Sequence, residues 1–192
     1  AWPGSPTPDT GPRVALFGDC FTVYNESSIG LAAHAVLRHA GFSPLLPRTG
    51  CCGRSLISVG LLREAVDTID ATIAQLRPYI DDPGVQAILF MEPSCLSAVK
   101  DDWLTLRCQT PLDVRRRLAA KAMLVEQFLD ERWDDLPTPL RLASPPRGPA
   151  LLHAHCHQKA LWGTHSSAGL LKRAFGDQLL TPDTGCCGMA GA

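Results

Sequence analysis

The 192-residue sequence contains no Cys-x-x-Cys, no Gly-x-Gly-x-x-Gly and no basic tract. Each absence excludes something. Without the paired-cysteine motif, an ordinary zinc ribbon and a thioredoxin-like redox site lose their usual signature. Without the glycine fingerprint, nothing marks a flavin or nicotinamide pocket. With 18 basic against 19 acidic side chains and a net charge of -1, nucleic acid is not an expected partner. Long apolar runs are missing too. Ala87-Ile88-Leu89-Phe90-Met91 is strand-sized, far short of the roughly 20 residues of a membrane span. The opening residues carry no signal-peptide pattern. Apolar residues still make up 45% of the chain, enough for a real core.

What is present is a repeat. Thr49-Gly50-Cys51-Cys52-Gly53 returns as Thr184-Gly185-Cys186-Cys187-Gly188. A lone cysteine precedes each copy: Cys20 lies 31 positions before Cys51, and Cys156 lies 30 before Cys186. With Cys95, seven of the eight cysteines belong to this pattern. A disulfide framework is not expected, because such scaffolds are small and loop-rich and this chain is neither.

The hydrophobic pattern predicts strands at Val14–Phe17, Ser43–Pro47 and Val85–Met91, the last a continuous run typical of a buried parallel strand. It predicts a helix capped by Ser27 or Ser28, with Ile29, Ala32, Ala33, Val36, Leu37 and Ala40 on one face and Gly41 after its end. A second helix is predicted from Gly60 to Leu76, stopped by Pro78, and a third from Leu112 to Trp133. After Pro137–Pro149 the order restarts. Leu151-Leu152 leads to Cys156, a short helix capped by Ser166 or Ser167 closes at Gly176, and Leu179-Leu180 leads to the second Cys-Cys-Gly. This alternation predicts an α/β fold of duplicated Rossmann-like units with mostly parallel strands, the second unit truncated. The expected divisions are a linker over 1–12, a first unit over 13–136, a Pro-rich linker or crossover over 137–149 and an incomplete second unit over 150–192. The ends read as cuts in a longer polypeptide. Because ligands sit beyond the carboxyl ends of parallel strands, the cysteines should gather at one sheet edge.

Several thiolates converging on one point are what an iron–sulfur centre requires. Cys20, Cys51, Cys52 and Cys95 supply four, and Gly50 and Gly53 allow the tight turn that adjacent ligands demand. The second half offers Cys156, Cys186 and Cys187. Zinc and thiol–disulfide exchange stay open as alternatives. His153, His155 and His157 alternate along a stretch read as extended, so their side chains should share a face, serving either as hydrogen-bonding groups or as a ligand set beside Cys156. Glu92 is either a cofactor group or a helix cap. Cys108 stands outside the repeat and reads as a core thiol.

The arrangement resembles the cysteine-rich CCG domain. That domain occurs twice in a subunit of heterodisulfide reductase and in the iron–sulfur subunits of glycolate oxidase and anaerobic glycerol-3-phosphate dehydrogenase. Phe17-Gly18-Asp19-Cys20-Phe21-Thr22, Cys51-Cys52-Gly53-Arg54-Ser55-Leu56-Ile57-Ser58, Glu92-Pro93-Ser94-Cys95, His155-Cys156-His157-Gln158-Lys159-Ala160-Leu161 and Gly185-Cys186-Cys187-Gly188-Met189-Ala190-Gly191 are similar to the C-terminal part of large FAD-linked oxidases of 2-hydroxy acids. The resemblance covers about residues 13 to 192. It implies an iron–sulfur cluster of [4Fe-4S] type with Cys20, Cys51, Cys52, Cys95, Cys156, Cys186 and Cys187 as metal ligands. Glu92, His155 and His157 are the implied further cofactor-binding residues. The family's terminal Cys-x-x-Cys is reduced here to Glu92-x-x-Cys95. The implied role is electron transfer from FAD in a separate flavin-binding domain or subunit, with a ferredoxin-like domain as partner and a quinone or other acceptor. The implied location is cytoplasmic, with peripheral attachment at the inner face of the membrane as an option. The contrasting reading is a non-catalytic zinc-binding or subunit-docking module.

Overall fold

The computed structural model describes residues 10–145 and 147–186. Strands β1 (Arg13–Leu16), β2 (Ser43–Leu45), β3 (Val85–Phe90) and β4 (Ala122–Leu124) form a sheet in the order β2-β1-β3-β4, with every neighbouring pair parallel. Parallel neighbours need crossovers. The first is α1 (Cys20–Tyr24) and α2 (Ser27–His39), and the second is α3 (Arg54–Ser58) and α4 (Leu62–Asp81). The third holds α5 (Pro93–Ser97), a π turn over Ala98–Asp102, α6 (Trp103–Thr105) and α7 (Leu112–Lys121). Helix α8 (Val125–Glu131) follows β4 directly.

Side chains alternate across the central strand, so it feeds two cores. Ala15 and Phe17 pack with Ile69, Ile73, Leu118 and Trp103 on one face, whereas Val14 and Leu16 pack with Leu37, Phe42 and Phe128 on the other. Phe17 stacks on Phe90 with ring centroids 4.5 Å apart. Burying each such large side chain contributes about 1.5–3 kcal/mol. The α/β class expected from the sequence is the one observed.

Three local expectations are corrected. The helix predicted over Leu112–Trp133 is split by β4, whose residues complete the sheet by pairing Ile88 with Ala122 and Phe90 with Leu124. Leu118, Ala122, Val125 and Leu129 are all buried, so helical spacing and the interrupted path place the same residues inside. Pro78 does not stop α4, which continues to Asp81 because Ile80 is buried and Lys121 Nζ bonds the carbonyls of Tyr79 and Asp82 at its end. In α2 the N-cap is Glu26, and Ile29 and Val36 stay 47% and 39% exposed while Gly30, His34 and Leu37 face inward. Gly41 does sit just past this helix, at φ +87°, as its position predicts.

Residues 136–145 and 147–149 hold no helix or strand. Beyond them, β5 (Ala150–Leu151), α9 (Cys156–Leu161), α10 (His165–Phe175) and β6 (Leu179–Leu180) follow, with β5 and β6 paired in parallel. The order strand, helix, helix, parallel strand matches β1 to β2. The N-cap of α10 is Thr164, and Ser166 and Ser167 lie buried in its first turn instead of capping it. Ser167 Oγ donates to Glu126 Oε1 at 3.1 Å and accepts from Gln158 Nε2 at 2.7 Å, which ties α8, α9 and α10 together. No helix among the described residues is long and apolar enough to cross a membrane.

Candidate metal centre

The strand ends deliver the cysteines to one edge of the sheet. Cys20 opens α1 just after β1, Cys51 and Cys52 follow β2, and Cys95 lies in α5 just after β3. Cys52 Sγ and Cys95 Sγ share a hydrogen bond at 3.0 Å, and hydrogen bonds link the Cys51 side chain to both Cys52 and Cys20. The four thiols therefore form one connected chain, from exposed Cys20 to buried Cys52 and Cys95.

The Cys-Cys turn is held from several sides. Thr72 Oγ1 donates to the Cys51 carbonyl at 2.9 Å, and Trp103 Nε1 donates to the Cys52 carbonyl at 2.9 Å. Thr49 Oγ1 reaches the Gly18 carbonyl at 3.0 Å and so ties the turn to the loop carrying Cys20. Gly53 takes φ +77°, a conformation that favours glycine, and its N–H donates to Cys51 Sγ at 3.4 Å. Asp19, almost fully buried, caps α1 by accepting from Thr22 N at 2.8 Å and Thr22 Oγ1 at 2.7 Å. Burial raises its pKa against the lowering effect of those bonds.

The thiols are all held in the protonated form. For Cys51 the hydrogen bond it donates to Cys52 and then burial push the pKa up. Cys52 is pulled down by Cys51, but its bond to Cys95 and its burial outweigh that. For Cys95 the bond to Cys52 lowers the pKa, and burial with the charges of Asp19 and Glu92 overcomes it. Burial, then Cys51 and Asp19, raises Cys20. Such a cluster loses its protons readily only to a cation, whose charge inverts the local preference.

The donor set suits a thiolate-bound centre, and a cavity of about 430 Å³ lined by Cys20, Cys51, Gly18 and Thr49 opens beside it. The thiols are drawn together in hydrogen bonds. Among the described residues, no group of three or more His, Cys, Asp or Glu side chains stands ready-made in a metal-coordination geometry.

Glu92 caps α5, its Oε1 accepting from Ser94 N at 2.9 Å and Ser94 Oγ at 2.7 Å, so the capping role is the one seen. The same oxygen lies 3.9 Å from His155 Nε2. The rings of His155 and His157 meet edge to face with centroids 5.2 Å apart, although helix α9 starts between them. His153 Nε2 lies 3.1 Å from the carbonyl of Gly185, just before Cys186. His155 caps α9 through Nδ1, accepting from His157 N at 3.2 Å. His157 Nδ1 lies 2.8 Å from Ser97 Oγ, and its Nε2 accepts from Arg54 Nη2 at 3.2 Å. Cys156 hydrogen-bonds Cys186, which raises its pKa, and Lys159 Nζ donates to the Thr184 carbonyl. Cys187 lies outside the described residues. Cys108 stands apart from both groups and packs at the core edge.

Sequence reasoning missed Asp19, Thr72, Trp103, Arg54 and Asp102. Asp19 was findable, since an aspartate just before a helix start is a cap signal. The others act across 21 to 103 positions of chain, with no local signature.

The chain is similar to one of the subunits of the anaerobic glycerol-3-phosphate dehydrogenase of Escherichia coli K12, at 26% identity over 182 residues, 93% of this chain and 44% of that protein. It is also similar to one of the subunits of the fumarate reductase (CoM/CoB) of Methanothermobacter marburgensis, at 25% identity over 127 residues, 66% of this chain and 23% of that protein. These are distant relatives, both named as oxidoreductase subunits, and the chain spans less than half the length of each. No family model matches the chain. No solved structure matches it significantly.

Proposed function

We propose that this chain is the iron–sulfur-binding electron-transfer region of a flavin-dependent 2-hydroxy-acid dehydrogenase, of D-lactate, glycolate or D-2-hydroxyglutarate type. The observation that carries this reading is the connected chain of four thiols from Cys20 to Cys95, assembled from three parallel strand ends. Similarity to subunits of a dehydrogenase and a reductase supports the redox setting. The narrower assignment to 2-hydroxy acids rests on the motif resemblance.

In this reading Cys20, Cys51, Cys52 and Cys95 hold a [4Fe-4S]-type cluster, which when bound accepts and passes on single electrons. The chain's own part is to present four thiols, exclude water around Cys52 and Cys95, and hold the turn through Thr72 and Trp103. Residues 150–192 are a second copy of the unit over 13–136, joined by 137–149 and offering Cys156, Cys186 and Cys187. Glu92, His155 and His157 flank the two sites as supporting groups. Electrons arrive from FAD in a separate domain or subunit, by way of a ferredoxin-like partner, and leave to a quinone or other acceptor. The location is cytoplasmic or at the inner membrane face. The segment by itself does not oxidise substrate.

Anaerobic reconstitution with iron and sulfide tests this. The wild type should take up iron and acid-labile sulfide and turn brown, Cys51→Ser should lose most of both, and Cys108→Ser should match the wild type. Equal iron in the wild type and Cys51→Ser sinks the assignment, and a colourless protein that takes zinc instead supports the docking-module alternative.

A further inference from the structure

Arg54 touches the Cys51-Cys52 turn and the first turn of α9, which begins at Cys156. Its backbone N–H bonds Cys52 Sγ. Its guanidinium donates through Nη1 to Asp102 Oδ2 at 2.7 Å and through Nη2 to His157 Nε2 at 3.2 Å, and His157 adjoins Cys156. Because arginine is always a donor, His157 Nε2 is the acceptor and Nδ1 carries the proton, donated to Ser97 Oγ; Ser97 passes its own proton to the Ser94 carbonyl at 2.7 Å. The histidine is therefore neutral here. Arg54 and Asp102 side chains are only 28% and 22% exposed, and Arg54 Nε is buried without a partner.

A lock between α3 and α9 alone needs no cation that leaves a donor orphaned, since unpaired buried polar groups are costly. A desolvated charge beside a redox centre has another consequence, because its field is weakly screened. We propose that Arg54 is a positioning residue that raises the reduction potential of the centre at Cys20, Cys51, Cys52 and Cys95. Asp102 opposes it, and His157 holds the guanidinium from the first turn of α9. The proposal rests on the iron–sulfur reading. Reduction adds one electron to the centre, supplied in the assay by dithionite, with no bond made or broken. A fixed cation favours the added negative charge and a fixed carboxylate disfavours it.

Redox titration of the reconstituted chain, followed by electron paramagnetic resonance, tests the sign. Arg54→Gln should shift the midpoint potential negative, and Asp102→Asn should shift it positive. Arg77→Gln removes an exposed cation near the far end of α4 and should shift neither way. A merely structural role predicts loss of signal without opposed shifts. If Arg54→Gln loses its iron, the Asp102→Asn shift alone decides. An unchanged or negative shift in Asp102→Asn, or shifts of the same sign in both variants, overturns the proposal while leaving the iron–sulfur reading intact. A wild type that takes up no iron overturns both.

Discussion

Replacing Gly53 by alanine separates the backbone demand of the Cys-Cys turn from its packing, because Gly60 provides a matched control. The two glycines have φ +77° and +80°. A Cβ at Gly53 meets Ile69 Cγ1 at 3.2 Å, whereas at Gly60 nothing lies within 4 Å. A non-glycine residue in the left-handed region costs about 1–2 kcal/mol. Restricting the unfolded chain gives back about 0.4–1 kcal/mol. Gly60→Ala should therefore lose only ~0.5–1 kcal/mol. Gly53→Ala carries the same terms plus overpacking against a buried isoleucine, typically ~1–3 kcal/mol, for a total near ~2–4 kcal/mol. For a chain of this size, 1 kcal/mol moves Tm by about 2–4 °C, so Gly53→Ala should fall by ~4–16 °C and Gly60→Ala by ~1–4 °C. Urea titration gives the free energies and a thermal scan the midpoints. Gly53→Ala should also lower iron uptake, because the methyl pushes Cys52 away from α4, and Gly60→Ala should leave it unchanged. Equal losses in the two variants, within about 0.5 kcal/mol, would refute the claim that the turn is clamped on Ile69.

Two further substitutions probe the supports of the fold. Trp103→Phe removes the indole donor and orphans the buried Cys52 carbonyl, so urea unfolding should show a loss of ~2–4 kcal/mol from the unpaired group and the smaller ring together; a loss below about 0.5 kcal/mol contradicts the role given to that bond. Glu126 has its pKa raised above the ordinary 4.5, chiefly by burial, despite the hydrogen bond from Ser167. The folded state thus holds the proton more tightly, and the stability this contributes is present at acid pH and lost as pH rises through the folded pKa. Glu126→Gln keeps the acceptor for Ser167 and never ionises, so its Tm should match the wild type near pH 4.5 and exceed it increasingly towards pH 8. A constant difference across that range refutes burial as the cause.

The layout of the centre was legible along the chain. Short apolar runs at Val14, Ser43 and Val85 could pair only as buried parallel strands, and parallel strands send their carboxyl ends to one edge. Cysteines placed just after each run had to meet there, whatever the details between. The glycine beside each cysteine pair announced a turn that other residues resist. Which long-range partner each group finds was settled only by the tertiary structure. The stretch Ala122–Leu124 has helical spacing, and only the open edge of β3, with its unpaired N–H and C=O groups, turns it into a strand. The apolar residues of α2 outnumber what the sheet can cover, so packing chose the Gly30, His34 and Leu37 side and left Ile29 outside. His155 and His157 still meet edge to face, although Cys156 starts a helix between them. Trp103, Arg54 and Asp102 reach the cysteine turn only after the third crossover folds back over it, since their side-chain bonds satisfy backbone and charge across space and not along the chain.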